Sequence, residues 1–149
     1  MRAVVQRVTK ATVSVGDRTV GQIGAGLLVL LGVSKSDTQD SADYMLEKVL
    51  GLRVFPDAEG KMNLSVREAR GAVMVVSQFT LYGDVRRGKR PSFDDAARPE
   101  MAKNVYEYFV AKIRAQGIDC ATGEFQATMK VSLVNDGPVT ILVDSEKGF

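Results

Sequence analysis

Two hydrophobic rhythms run through the chain, one with a period of two residues and one with a period between three and four. Residues 3–8 and 11–15 alternate apolar with polar side chains, as half-buried strands do. Gly16-Asp17 puts glycine at the first central position of a two-residue hairpin turn, which leads to a partner strand over Arg18–Ile23. After Gly24-Ala25-Gly26, the unbroken apolar run Leu27–Val33 predicts a central strand buried on both faces. Ser36–Ser41 is rich in helix-capping residues, and Ala42, Met45, Leu46, Val49 and Leu50 then mark one face of an amphipathic helix.

Leu52–Phe55 reads as a short strand, Pro56–Gly60 as a turn and Ala72–Val76 as a further buried strand. A second helix opens at Pro99, lines up Ala102, Val105, Tyr106, Phe109, Val110 and Ile113, and closes at Gly117. Lys112 and Arg114 near its end suit the helix dipole. Strands follow at Asp119–Phe125, Thr128–Val134 and Val139–Val143, the last two parted by an Asn-Asp-Gly-Pro turn. Two main helices among about eight strands in hairpin-like succession predict an α+β fold with a curved, barrel-like, mostly antiparallel sheet.

Composition narrows the reading. A chain of 149 residues fits a single domain spanning 1–149. Hydrophobic residues at 45% and charged residues at 26% predict a chain folded throughout. Leu27–Val33 is far shorter than the roughly 20 residues a membrane-spanning helix needs. The alternating start, with Arg2, Arg7 and Lys10, lacks the pattern of a secretory signal, so a cytoplasmic protein without a membrane partner is expected. Cys120 is the only cysteine, which excludes an internal disulfide and reads as a small core residue.

The absence of histidine changes the picture most, because it removes the usual general base and the commonest transition-metal ligand together. Ser-His-Asp and Cys-His mechanisms are excluded, as are the ordinary zinc sites. No tight carboxylate cluster calls for a metal either, and the expected cofactor complement is none.

Chemistry is expected where the strand Ala72–Val76 runs into Ser77-Gln78-Phe79-Thr80-Leu81-Tyr82-Gly83-Asp84. A strand end followed by a tight turn at Gly83-Asp84 accounts for these residues structurally. The functional reading has backbone N–H groups beyond the strand end, with Gln78 and the Ser77 and Thr80 hydroxyls, binding a carbonyl oxygen as negative charge develops on it. Thr80 is also a candidate nucleophile, but neither a histidine nor its own α-amine is available as base, which ranks it as a positioning group. Gly137-Pro138 reads either as a simple turn or as a cis peptide whose carbonyl oxygens exclude a substituent on one side of a bound α-carbon. Arg86, Arg87, Lys89 and Arg90 form either a solvated loop or a phosphate-contacting one, and closeness to Ser77 favours the latter. By pattern alone Met129 reads as core.

The pairing of Ser77-Gln78-Phe79-Thr80-Leu81 with Asn135-Asp136-Gly137-Pro138-Val139-Thr140 resembles the D-aminoacyl-tRNA deacylase family. The resemblance extends through Met1–Val8, Gly60–Ser65 and Arg90-Pro91-Ser92-Phe93. It implies a homodimeric hydrolase that cleaves the ester joining a D-amino acid, or glycine mischarged on tRNA-Ala, to tRNA. Ser77, Gln78, Phe79 and Thr80 would then form the catalytic pocket floor. Gly137 and Pro138, in a cis bond, would reach in from the partner subunit and reject L-amino acids, with Arg7 supporting them and Met129 beside the substrate. Arg86, Arg87, Lys89 and Arg90 would hold the tRNA acceptor end. Gln126 and Thr128 depart from the family pattern, standing where Gly and Asp are expected. An aminoacyl ester is already activated, and the neighbouring ribose 2′-OH can orient water, which suits a site without imidazole. The alternatives are a non-catalytic RNA-binding protein using the loop Arg86–Arg90, and a hydrolase of small D-amino-acid esters or amides.

Overall fold

The computed structural model describes residues Met1–Phe149, and its sheet is organised around one long strand, β1 (Arg2–Val15). The sequence pattern divides that strand in two at Thr9-Lys10, yet the interruption is a change of phase. Ala3 and Val5 are buried, then Val8, then Ala11 and Val13. Register shifts between Gln6 and Val8 and between Val8 and Lys10 supply the changes, since each irregularity resets which side chains face the core.

On one edge of β1, β2 (Arg18–Ile23) and β3 (Gly26–Gly32) follow each other in a common register, with Ile23 opposite Ala11 and Gly26 opposite Val8. The last strand, β8 (Lys130–Asp144), lies antiparallel along the other edge. Beyond β3, β6 (Ala72–Ser77) and β7 (Cys120–Thr122) are added in parallel, so the sheet is mostly but not wholly built of hairpin-like pairs. Each parallel step needs a long crossover, and α1 (Gln39–Gly51) and α2 (Pro99–Ala115) lie in the two crossovers. The free edges of β2 and β7 then curl together: a Cβ added at Gly21 would stand 2.3 Å from the Thr122 carbonyl oxygen. That close approach gives the nearly closed, barrel-like sheet.

Both faces of β3 and β6 are buried, as the run Leu27–Val33 predicts. Leu27, Val29, Leu31, Val73 and Val75 pack with Met45, Val49, Phe109 and Ile113 of the helices. Leu28, Met74 and Val76 face the other way and pack with Val8, Ala11 and Val13. Burying a side chain of this size contributes about 1.5–3 kcal/mol, so the two layers together fix where β6 must end. The Tyr106 hydroxyl donates to the Val75 carbonyl at 2.8 Å and ties α2 to that strand. Pro99 begins α2 and Gly117, at φ +77°, follows its end, both as expected from sequence.

Several boundaries differ from the sequence reading. The short strand placed at Leu52–Phe55 is β4 (Phe55–Pro56), paired with β5 (Met62–Leu64), because Pro56 extends the strand rather than opening the turn. The strand expected over Asp119–Phe125 is reduced to β7. The two final strands are one, β8, with Gly137-Pro138 inside it instead of at a hairpin end. No helix is long and apolar enough to cross a membrane.

Candidate active site

β6 ends at Ser77, and the Gln78 amide still donates to the Leu31 carbonyl at 2.8 Å. In place of the expected tight turn at Gly83-Asp84, the chain closes into a 3-10 turn over Phe79–Tyr82. The Leu81 amide donates to the Gln78 carbonyl at 3.2 Å and the Gly83 amide to the Thr80 carbonyl at 2.9 Å. The amides of Phe79 and Thr80 open the turn, where no preceding helical carbonyl exists to accept them. Phe79 and Thr80 are exposed, Ser77 and Gln78 half-buried. The Gln78 side-chain amide hydrogen-bonds the Thr80 hydroxyl oxygen. A carboxamide is not a base, so this contact orients Thr80 without activating it as a nucleophile.

Gly137-Pro138 is a cis peptide. It sits in a bulge of β8: Gln6 lies opposite Thr140 and Val8 opposite Asn135, so a step of two residues on β1 spans five on β8. Both residues of the bulge tip are exposed. Arg7, in the gap, braces it from below. Its Nε donates to the Asp136 carbonyl at 2.9 Å and its Nη1 to the Val54 carbonyl at 2.6 Å, with only 12% of the side chain exposed. Asn135, which sequence reasoning quoted but gave no role, closes the bulge. Its Oδ1 accepts from the Val139 amide at 2.7 Å, and its Nδ2 donates to the Val139 carbonyl at 3.0 Å and the Thr140 hydroxyl at 3.2 Å. The available signal was an Asn flanking Gly-Pro, a residue type that pairs with nearby backbone.

The basic residues occupy the tip of an irregular hairpin. Asp84 and Ser92 exchange backbone hydrogen bonds at 2.7 and 3.0 Å, and Phe93 returns to meet Phe79 edge-on, ring centroids 5.0 Å apart. The loop therefore stands beside the 3-10 turn. Arg86 is engaged by Asp84, to which its Nε and Nη2 donate at 2.9 and 2.7 Å. Those bonds hold the Asp84 carboxyl far below the usual carboxylate range. Arg87, Lys89 and Arg90 are exposed and make no ion pair.

Met129 is half-buried against the smaller core layer and packs over Gly123, where an added Cβ would lie 2.5 Å from its sulfur. Gln126, one of the two departures from the family pattern, adopts φ +64°, the backbone region glycine enters freely. Cys120 is half-buried and burial pushes its thiol up to about 11, which keeps it protonated and inert. No three of the Asp, Glu and Cys side chains gather as a metal-ligand set.

The turn and the bulge do not meet within one chain. Ser77 lies opposite Leu31, Leu31 opposite Ala3 and Ala3 opposite Val143, whereas the bulge faces Arg7. Following the sheet, they are separated by three strand spacings and four residue rises, about 14 Å across and about 13 Å along.

What the turn presents is a pair of open backbone donors flanked by hydroxyl and amide side chains, with no imidazole or reactive thiol. The model of the family described as D-Tyr-tRNA(Tyr) deacylase matches residues 4–144. A D-aminoacyl-tRNA deacylase of Symbiobacterium thermophilum is 65% identical over 149 residues, covering 100% of this chain and 99% of the relative. One of Koribacter versatilis is also 65% identical, with both chains fully covered. Among solved structures, a c-Myc DNA unwinding element binding protein superimposes with a TM-score of 0.91 at 42% identity, over 97% of this chain and 98% of the other. A probable eukaryotic D-amino acid tRNA deacylase shares the fold at 18% identity and a TM-score of 0.79, over 95% and 97% of the two chains.

The chain belongs to the D-aminoacyl-tRNA deacylase family. It is accordingly an enzyme, a hydrolase of D-aminoacyl-tRNA that serves chiral proofreading in translation.

Proposed function

We propose that deacylation takes place at a composite site, with the carbonyl held by the 3-10 turn of one subunit and the α-carbon screened by the Gly137-Pro138 bulge of a second copy. The observation that carries this reading is the separation of the two motifs within the chain. Each is exposed and each has its own support, yet neither can complete the other without a partner. A free edge on β8 and outward apolar side chains support pairing of two copies: Leu142 is 55% exposed and Val134 45%, with Val4 opposite Leu142. Such a surface is what a self-complementary interface uses.

In this reading the Phe79 and Thr80 amides receive the ester carbonyl and strengthen their hold as it becomes an oxyanion. Gln78 orients the Thr80 hydroxyl, which positions the substrate or the attacking water. The ribose 2′-OH beside the ester orients water, and the tRNA 3′-oxygen leaves with the proton. Arg87, Lys89 and Arg90 contact acceptor-end phosphates, while Arg86 shapes the loop through Asp84. Arg7 and Asn135 keep the bulge from yielding to an L side chain, so L-substrates fail by occlusion. Met129 lines the far wall. Glycine, with hydrogen on both sides of its α-carbon, passes the same screen, which makes glycyl-tRNA, including glycine mischarged on tRNA-Ala, a second substrate.

Incubating the protein with D-tyrosyl-, L-tyrosyl- and glycyl-tRNA and following the free amino acid tests the reading. It predicts release from the D and glycyl substrates and almost none from the L substrate. Equal rates on D and L substrates contradict it.

A further inference from the structure

Beside the 3-10 turn lies a set of polar contacts that the scheme above does not use. Arg2 stands at the start of β1, and its Nη1 donates to the Leu81 carbonyl at 3.1 Å. Its guanidinium carbon lies 4.6 Å from the centre of the Tyr82 ring, within the range of a cation–π contact. Its Nε is 3.7 Å from Oδ2 of Asp144, a carboxylate only 4% exposed that also accepts from the Glu146 and Gly148 amides. One side chain thus joins the turn, the buried ring beneath it and the end of β8.

The other restraints on the turn are the Phe93 ring against Phe79, the Gln78 contacts at its start and the packing of its underside. A 3-10 segment of four residues has poor intrinsic geometry and does not persist alone. From below it rests on Gly32, where an added Cβ would come within 3.0 Å of the Gln78 carbonyl oxygen and 3.1 Å of the Leu81 Cβ. Sideways, Arg2 is the only side chain that donates a hydrogen bond to a carbonyl of the turn.

We propose that Arg2 is a positioning residue for deacylation: by holding the Leu81 carbonyl and the Tyr82 ring, it sets the angle at which the Phe79 and Thr80 amides meet the ester. This rests on the reading of those amides as the carbonyl-binding donors. Arginine is specifically suited to the position, because a planar guanidinium can stack on a ring and donate in its plane at once, whereas a lysine ammonium is a single point charge.

The full chain carrying Arg2→Gln or Arg2→Lys tests it, with kcat and KM measured on D-tyrosyl-tRNA and amide hydrogen exchange followed at Leu81 and Gly83. Misplacing the donors lowers kcat for Arg2→Gln by about 10- to 100-fold. KM stays within about twofold, because Arg2 does not touch substrate. Exchange at Leu81 and Gly83 quickens while strand amides of β1 keep wild-type protection. Arg2→Lys retains the charge beside Asp144 and so the fold, and it recovers part of kcat but remains at least about threefold below wild type. Wild-type kcat in either variant overturns the proposal, as does a loss confined to KM or one that disappears when rates are normalised to the folded fraction. A wild-type chain inactive on D-tyrosyl-tRNA removes the reading of the turn as well; an active one with an unaffected Arg2→Gln removes only the role of Arg2.

Discussion

The 3-10 turn, at the end of the buried strand β6, and the Gly137-Pro138 bulge, inside β8, both present exposed residues, but they are held differently. The turn has two internal backbone hydrogen bonds, and its first amides are left open. The bulge is clamped by four side-chain hydrogen bonds, one from Arg7 and three involving Asn135, and Arg7 is itself anchored on the Val54 carbonyl. The difference suits the tasks proposed for them. A group that binds developing charge must keep its donors free for the substrate. A group that discriminates by exclusion must not move, because a barrier that yields by an ångström admits what it should reject.

The largest effect is expected from removing one open donor. Phe79→Pro deletes an amide hydrogen at the first position of the turn, where proline is tolerated and where Gln78, at φ −143° and ψ 78°, already lies outside the helical region that a following proline disfavours. Relative to Phe79→Ala, which controls for the ring, kcat on D-tyrosyl-tRNA should fall by about 100- to 1,000-fold. Equal rates for the two variants would show that the amide does not bind the carbonyl.

Loosening the bulge ranks next. A Cβ at Gly137 would lie 2.7 Å from Val139 Cγ2 and 2.9 Å from the Val139 nitrogen, and the residue's φ of +145° is one that side chains disfavour. Gly137→Ala should therefore lower D-tyrosyl-tRNA hydrolysis by roughly tenfold or more and reduce the ratio of D to L rates. An unchanged ratio would separate the bulge from discrimination.

Effects on the basic loop are smaller and divide within the loop. Single changes of Arg87, Lys89 or Arg90 to Gln should each weaken tRNA binding and lower the steepness of its salt dependence by about one unit. Arg86→Gln should do less, since Asp84 already occupies that charge. Uniform effects across all four would mean that the Asp84 pairing opens on binding. Thr80→Ala is expected to be mildest, leaving hydrolysis within about tenfold of wild type because the hydroxyl positions rather than attacks. Complete loss with tRNA binding intact would make Thr80 a nucleophile instead.

What sequence made legible was set by periodicity and residue chemistry. The both-face burial of Leu27–Val33, the apolar stripe from Ala102 to Ile113 and the stop at Gly117 all follow from local pattern, and each is present. Sheet connectivity does not follow, because parallel addition of β6 and β7 depends on where the two helices cross. The unity of β1 and of β8 was hidden by bulges that shift the alternation of side chains. At the site, the missing histidines pointed to backbone chemistry, while the closure of Phe79–Tyr82 into a 3-10 turn carries no periodic signal over so few residues. Nor could the chain announce that Arg86 is paired and its neighbours free, which rests on the Asp84 side chain folding back two residues.

The claim on which the rest depends is that turn and bulge act from different copies of the chain. Phe79→Pro and Gly137→Ala proteins, each impaired alone, can be mixed, allowed to exchange subunits and assayed on D-tyrosyl-tRNA. Statistical exchange makes half the dimers hybrid, and each hybrid has one site with an intact turn and an intact bulge, so activity should rise to about a quarter of wild type. Activity no greater than the mean of the two variants measured separately, with exchange verified, would place both motifs on one chain and contradict the account.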